Sequence, residues 1–327
     1  MKDQKKKKKL WMRQAHLLVI AAGIMVFVCL AQVAFAGEVA QTSFASPQEA
    51  VTSLVNAVKA NDTKTLSAIL GPGSKDILSS GDAIADTNGR AKFVEVYGEA
   101  NSLISETESK QVLTLGSEKW PFPIPLVKKG KDWVFDTIAG KEELLNRRIG
   151  RNELNTIQSC LAYVDGQREY AMKSLSGAGK KEYAQKFASD PGTKNGLYWE
   201  VKEGEELSPM GAFAAKASKE GYSRDKEGKM IPYHGYYFRI LKSQGANAPG
   251  GAYDYVVNGS MIGGFALIAY PSEYGNSGVM TFLVNHDGVI YQKDLGPDTE
   301  KIASAIETFD PDKSWIKCDG EKCESEK

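Results

Sequence analysis

The chain has 327 residues, of which 42% are hydrophobic and 25% are charged, and its basic and acidic side chains are equal in number. This is the composition of an ordinary globular protein, and it excludes a disordered or fibrous chain. A chain of this length is long enough for about two domains.

The first segment of the chain has the pattern of a secretory signal peptide. Residues 5–9 form a basic start, residues 17–30 are almost wholly apolar, and Ala34-Phe35-Ala36 is a small-x-small cleavage site. The alternative is a retained membrane anchor, because residues 17–36 approach the roughly 20 apolar residues that span a bilayer. We favour cleavage near Ala36, which predicts a periplasmic or secreted protein without membrane contact.

Removal of the signal segment changes the charge of the chain. The remaining residues carry a formal net charge of about −6. A protein that binds nucleic acid or anionic lipid usually carries a basic patch. We therefore predict that neither nucleic acid nor an anionic lipid surface is a partner.

Three cysteines follow the signal segment, namely Cys160, Cys318 and Cys323. We expect Cys318 and Cys323 to form a disulfide in an oxidising compartment, and Cys160 to be a buried thiol on a helix. A Cys-x4-Cys pair lacks the four ligands of a structural zinc site. We predict no metal site and no cofactor.

The residues that follow the predicted signal segment begin with short predicted helices. Ser46 is placed to cap a helix, Pro47 suits its first position, and Glu49 completes a capping box. This helix is predicted to end near residue 60, and two more are expected at residues 64–70 and 86–100.

Antiparallel strands are expected next, at residues 102–115, 120–127 and 131–136. The middle segment has three prolines at alternate positions, which restricts it to a sheet edge. The alternation along the last strand places Trp133 and Phe135 on one face, and we expect Trp120 and Phe122 to cover the same core.

The predicted helices are followed by a curved antiparallel sheet, and the sequence KDWVFD at residues 131–136 lies near the end of that sheet. This order of elements resembles the nuclear-transport-factor-like α+β cone. The resemblance covers residues 44–136. Cones of this type often hold a small apolar pocket, so the resemblance allows ligand binding. A structural role is the stronger expectation, because the segment offers no carboxylates or histidines for a pocket.

Residues 140–175 read as one long helix or two abutting helices with an apolar stripe. Its arginines Arg147, Arg148 and Arg151 could hold an anionic ligand, but we favour a solvated face with local ion pairs. The domain boundary is placed here, which divides the chain into a signal peptide at 1–36, domains at 37–138 and 139–309, and a charged tail at 310–327.

The SGAGKK run at residues 176–181 is not a phosphate-binding loop, because it lacks the required spacing of glycines and has no Ser or Thr after Lys180. We interpret it as a loop between helices. Further helices are predicted at residues 182–188 and 209–220.

The last third of the chain predicts an antiparallel sheet. Strands are expected at residues 233–241, 265–270, 279–284 and 289–292, because these runs are apolar or alternating and are separated by turn residues. Asn285-His286-Asp287-Gly288 is a hairpin turn in which Gly288 takes positive φ. The tail after Phe309 is expected to be mobile.

From about residue 151 onward the chain carries a series of motifs, namely QREY at 167–170, YA at 183–184, GYYF at 235–238, FALIAYP at 265–271, GVMTF at 278–282 and DGVI at 287–290. In this series it resembles the globular heads of type IV pilins and pseudopilins. The resemblance implies a helix packed on a four-stranded antiparallel sheet. Because the expected leader is of the ordinary secretory type, it implies a relative of the head and not a filament subunit.

Five motifs are spread over nearly all of the chain that remains after the signal segment, namely FASP at 44–47, WPFPIPLV at 120–127, RRIGRNEL at 147–154, PYHGYYF at 232–238 and YQKDLGP at 291–297. In these motifs the chain is similar to an exported bacterial family called domain of unknown function 2950. The similarity implies an exported bacterial protein, and it implies no activity. The fold class predicted from all of this is α+β.

The sequence contains no recognisable combination of a nucleophile with a general acid or base. His234 and His286 lie beside turn or aromatic residues, and the sequence around Ser260 is not a nucleophile elbow. We therefore favour a non-enzymatic binding protein with a protein or polymer of the cell envelope as partner, and a secreted hydrolase is the alternative.

The predicted partner surface is a tyrosine-rich sheet face beside glycine-rich turns. Rigid tyrosines with nearby glycines are typical of interfaces. The equal alternative is a tyrosine-lined core. The residues proposed for the surface are Tyr236, Tyr237, Tyr253, Tyr255 and Tyr270.

Overall fold

The computed structural model describes residues 41–222, 231–319 and 322–323, with side chains described except at 175–178, 319 and 322–323. The predicted signal segment lies outside these residues. Within them, no helix combines the length and the apolar character that a membrane span requires.

Four helices open the described chain, and three of them start with a side-chain cap. They are α1 (Pro47–Lys59), α2 (Thr63–Leu70), α3 (Lys75–Leu78) and α4 (Ala83–Glu99). Glu49 N donates to Ser46 Oγ over 3.2 Å, which confirms Ser46 as the cap. The Glu49 carboxylate accepts from Ala45 N instead of Ser46 N, so the predicted capping box is shifted by one residue.

A five-stranded antiparallel sheet follows these helices. Its strands are β1 (Asn101–Thr107), β2 (Lys110–Leu115), β3 (Trp120–Pro121), β4 (Leu126–Lys129) and β5 (Asp132–Phe135), in the order β1-β2-β4-β5 with β3 beside β2. Trp133 and Phe135 lie in the core between this sheet and α1, and Phe122 packs against that core. The expectation for Trp120 is wrong, since its side chain is 57% exposed on the short strand β3.

A helix of 42 residues, α5 (Thr137–Ala178), leads to the second half of the chain. At 1.5 Å per residue it is about 63 Å long. It continues to Ala178, so the predicted loop at residues 176–181 begins inside a helix and that prediction is wrong in part.

The helix predicted at residues 182–188 is absent. The Gln167 side chain on α5 accepts from Ala184 N over 2.8 Å and donates to Ala184 O over 2.7 Å. These bonds occupy the backbone groups that a helix would use at this position. The segment is therefore irregular.

The second sheet has six antiparallel strands in the order β15-β14-β13-β12-β11-β6. The strands are β6 (Tyr236–Leu241), β11 (Ala266–Pro271), β12 (Met280–Asn285), β13 (Ile290–Asp294), β14 (Ile316–Asp319) and β15 (Lys322–Cys323). Short strands β7 (Ser243–Gln244), β8 (Tyr253–Asp254), β9 (Val256–Val257) and β10 (Ser260–Met261) lie between β6 and β11. Helices α6 (Gly211–Lys219) and α7 (Thr299–Ser304) complete the fold. The α+β prediction is confirmed.

The C-terminal tail is not free of the fold. Ile316, Lys317 and Cys318 pair with β13, so the expected mobility of the tail is wrong for these residues, because β13 otherwise presents an unpaired edge. Cys318 is disulfide-bonded and lies opposite Cys323 in the strand register. The pairing of these two cysteines stays a prediction.

Cys160 is a free and fully buried thiol on α5, as the sequence suggested. Burial raises the pKa of this thiol to about 12. Because the thiolate is the reactive form, Cys160 is chemically inert at neutral pH.

Polar side chains join the two halves of the fold. Arg148 on α5 donates to Asp76 O over 2.6 Å, to Ile77 O over 2.7 Å, and to Asn276 Oδ1. Burial of the guanidinium lowers the pKa of Arg148. The expected solvated face is therefore wrong for Arg148, although Arg147 does form an exposed ion pair with Glu143.

Candidate binding cleft

The five tyrosines predicted to form a partner surface do not share a surface. Tyr236 and Tyr255 are 0% exposed and Tyr270 is 6% exposed. Tyr236 Oη donates to Met280 O over 3.0 Å, and Tyr255 Oη donates to Gln244 Oε1 over 2.9 Å. Tyr237 is half-buried, and Tyr253 is exposed. The prediction is wrong, because α5 and α7 both contact β11 and enclose this part of the sheet.

A cleft of about 1040 Å³ lies elsewhere, between α5, α6 and the irregular segment of residues 187–200. We call it the aromatic cleft. The half-buried aromatic side chains that line it are Phe187, Tyr198, Trp199, Phe213, Tyr222, Tyr233 and Phe238. Its volume is slightly above the roughly 300–1000 Å³ typical of ligand pockets.

The wall formed by residues 187–200 is shaped by its own backbone pairing. Ser189 N donates to Tyr198 O, and Tyr198 N donates to Phe187 O, each over 2.8 Å. Between these pairs the chain turns at Asp190, whose carboxylate accepts from Asn195 Nδ2 over 2.8 Å. Because the loop is closed in this way, Phe187, Tyr198 and Trp199 are held at the cleft without a helix or sheet.

The opposite wall is a chain of ring contacts. The ring of Tyr233 lies 5.1 Å from that of Phe213 on α6 and 4.8 Å from that of Tyr222, measured between centroids. Its centroid is also 4.2 Å from the imidazole of His234. Such tilted and edge-on aromatic pairs contribute about 0.5–1.5 kcal/mol each beyond burial, so these contacts stabilise the wall.

His234 and Gly235 form a two-residue turn beside this wall. Both have positive φ, +50° and +78°, and Tyr233 and Tyr236 exchange two backbone hydrogen bonds across them. Positive φ at both positions is the type I′ geometry. The turn brings His234 Nε2 to 3.1 Å from Glu220 Oε2, and Tyr233 Oη lies 3.5 Å from the same oxygen.

Burial shifts the pKa values of His234, Tyr222 and Tyr233. Desolvation lowers the pKa of His234, against the opposing influence of Glu220 and Asp82. Desolvation also raises the pKa of Tyr222 and of Tyr233, with Asp82 and Glu220 respectively adding to the shift. At neutral pH, His234 is therefore an uncharged imidazole, and its Nε2–H can donate to Glu220.

Asp82 holds the turn from the other half of the protein. It is 2% exposed. Its Oδ1 accepts from Ile84 N and Ala85 N at the start of α4, and its Oδ2 accepts from Tyr222 Oη over 2.8 Å and from Gly235 N over 2.9 Å. One carboxylate thus caps a helix and fixes a residue that lines the cleft.

The chemistry of the cleft is that of an aromatic surface with few charges. Among the described residues that line it, the ionisable ones apart from tyrosines are Asp190, Lys194 and Glu200. Lys194 Nζ lies 5.4 Å from the centroid of the Trp199 ring. Across the described parts of the chain, no group of three His, Cys, Asp or Glu residues is arranged to hold a metal ion.

Sequence reasoning missed this cleft because its residues lie far apart along the chain, from Ser159 to Leu267. A signal was present in the turn-rich segments at Tyr198-Trp199, Tyr222 and Tyr233. Aromatic residues outside helices and strands usually pack against the core or line a binding site.

Comparison with known proteins identifies the family to which the chain is similar. Residues 41–318 match the model of the family described as protein of unknown function (DUF2950). No curated protein and no solved structure is significantly similar to the chain.

Proposed function

We propose that this chain, which belongs to the DUF2950 family, is a non-enzymatic binding protein of the bacterial cell envelope whose partner occupies the aromatic cleft. The observation that carries the proposal is the collection of half-buried aromatic rings around one cavity of about 1040 Å³. Aromatic side chains with one solvent-facing part are the residues that most often dominate binding energy.

Location in the envelope rests on the first 36 residues. Their basic start, apolar stretch and Ala34-Phe35-Ala36 site support export and cleavage. Mass spectrometry of the protein recovered from the periplasmic or extracellular fraction tests this. A mature chain that begins at Gly37 supports export, and a chain that retains residues 1–36 in the membrane fraction contradicts cleavage.

The resemblance of the sequence motifs to pilin heads is our reason for proposing a protein or polymer as partner. The antiparallel order β6-β11-β12-β13 and the contact of α5 with β11 and β12 agree with a head-like arrangement. We propose on this basis that the second half of the chain is a head-like unit adapted to binding.

The binding proposal is tested by capture from an extract of the cell envelope. Purified protein is immobilised, and the retained material is measured for the wild type, Trp199→Ala, Trp199→Phe and Trp120→Ala. Trp199→Phe keeps an aromatic ring, and Trp120 is an exposed tryptophan outside the cleft. We expect Trp199→Ala to weaken retention about tenfold or more, with the other two close to the wild type. Equal retention by Trp199→Ala refutes the proposal.

The alternative is a hydrolase, and the His234–Glu220 pair favours it. An uncharged imidazole that is oriented by a carboxylate is the usual form of a general base. The pair lies behind Tyr222 and Tyr233, which line the cleft, and neither His234 nor Glu220 lines it. For this reason we rank hydrolysis second. Turnover of an envelope polymer that is lost in both His234→Asn and Glu220→Gln would place hydrolysis first.

A further inference from the structure

The aromatic rings that line the cleft are suited to binding sugars. Sugar rings present a flat side of C–H groups, and these pack on aromatic faces with weak C–H contacts to the π-system. Tyr198, Trp199 and Tyr233 line the cleft and each is half-buried. Partial burial leaves part of each side chain accessible to a ligand.

The described residues that line the cleft do not form a site for an anionic ligand. Of the three ionisable groups named above, Asp190 already accepts from Lys186 Nζ over 2.6 Å, and the Lys194 ammonium lies on the Trp199 ring. Sites for phosphates and carboxylates use forked arginine contacts or several cations. The described residues that line this cleft include one lysine and no arginine.

Hydroxyl groups complete the lining. Ser218 contributes an aliphatic hydroxyl and Tyr198 contributes a phenol, whereas the hydroxyls of Ser189 and Thr193 already form hydrogen bonds within the 187–200 loop. A hydroxyl both donates and accepts hydrogen bonds. This versatility matches a ligand whose polar groups are themselves hydroxyls.

A peptide fits the cleft less well. Extended peptides are bound through a row of unpaired backbone groups or through side-chain donors to their carbonyls. Part of the backbone of the 187–200 wall is paired internally, since Ser189 N donates to Tyr198 O and Tyr198 N donates to Phe187 O. Trp199 Nε1 is buried and has no hydrogen-bond partner, so Trp199 offers a ligand its ring and not its N–H.

We propose that the aromatic cleft binds a segment of a neutral polysaccharide, with sugar rings stacked on Tyr198, Trp199 and Tyr233. The proposal rests on the binding function proposed above and specifies its ligand. It depends on three features of the described lining, namely its half-buried aromatic rings, its single lysine with no arginine, and the hydroxyls of Ser218 and Tyr198.

The experiment uses the envelope extract as probe and divides it into four portions. The first portion is untreated, the second is digested with proteinase K, and the third is oxidised with sodium periodate. Periodate cleaves the C–C bond between two adjacent sugar carbons that both carry hydroxyls. The fourth portion is applied to the protein and then washed with concentrated salt. Sugars in the retained material are identified after acid hydrolysis. Each portion is applied to the wild type, Trp199→Phe and Trp199→Ala, and circular dichroism checks that each variant is folded.

We expect retention that depends on Trp199, survives proteinase K and the salt wash, falls at least tenfold after periodate treatment and consists of neutral sugars. Retention that depends on Trp199 and is destroyed by proteinase K shows a protein partner and overturns the polysaccharide proposal alone. Retained sugars that are acidic and removed by salt also overturn it alone. Retention that does not depend on Trp199 overturns both the proposed function and this inference.

Discussion

The Tyr222 hydroxyl donates to Asp82 Oδ2 over 2.8 Å, although the two residues are 140 positions apart in the chain. Tyr222 lines the aromatic cleft, and Asp82 caps α4 in the first half of the protein. Formation of the cleft wall therefore depends on the folding of both halves.

Replacement of Asp82 by alanine is expected to destabilise the protein by about 2–4 kcal/mol. The change removes a helix cap, worth about 0.5–2 kcal/mol, and leaves the buried Gly235 N and the Tyr222 hydroxyl without their acceptor. The free energy of unfolding from denaturant titration measures the loss.

Asp62→Ala is the matched control for Asp82→Ala. Asp62 caps α2 through Thr65 N, and its side chain makes no contact with the cleft wall. We expect a clearly smaller loss of stability for Asp62→Ala. Similar losses in the two variants would mean that Asp82 acts as an ordinary cap and not as a link between the halves.

Arg148→Lys is expected to cost about 2 kcal/mol, because a lysine cannot reproduce the forked contacts of the guanidinium and leaves buried carbonyl groups unpaired. Arg147→Lys changes an exposed pair with Glu143 and should alter stability by no more than about 0.5 kcal/mol. Thermal unfolding of both variants makes the comparison. Equal midpoints would show that Arg148 does not join the two halves.

His234 should make stability depend on pH. Its pKa is lowered in the folded protein, so as the pH falls through about 6.5 the unfolded chain takes up the proton first. The folded state therefore loses stability relative to the unfolded state below pH 6.5, and the loss ends once the pH passes the lowered pKa.

His234→Asn removes this titration and keeps a residue that accepts positive φ. Urea titrations at pH 7 and pH 5 should give a smaller loss of stability for His234→Asn than for the wild type. If the two proteins lose the same amount, His234 is not desolvated as described.

Two glycine substitutions are expected to have opposite effects. A Cβ at Gly278 would lie 2.0 Å from Tyr236 Oη, and Tyr236 is fully buried, so Gly278→Ala should cost about 1–3 kcal/mol. Gly89 is exposed on α4 with no atom within 4 Å of a Cβ, so Gly89→Ala should add about 0.5–1 kcal/mol. Melting temperatures that shift in the same direction would refute this account.

Local rules account for the elements that the sequence predicted correctly. Ser46 and Pro47 start α1 because capping involves neighbouring residues, and Gly288 closes its hairpin with positive φ. The helix predicted at residues 182–188 is absent because Gln167, 17 positions away, binds the backbone at Ala184. No local pattern contains that interaction.

The predicted and the observed sites differ for the same reason. Alternation in β6 and β11 identifies strands, but it does not say that α5 and α7 enclose them and bury Tyr236. The cleft depends on tertiary contacts between α5, α6 and two turns, such as that of Phe213 with Tyr233. Those contacts follow only from the packed structure.

The most direct test of the aromatic cleft as the binding site is hydrogen–deuterium exchange, measured on the purified protein with and without the envelope extract. The account predicts slower exchange in peptides that cover residues 187–200 and 211–222, with unchanged exchange in the sheet formed by β1 to β5. Protection confined to that sheet, or no protection of the cleft by an extract that the protein retains, would contradict it.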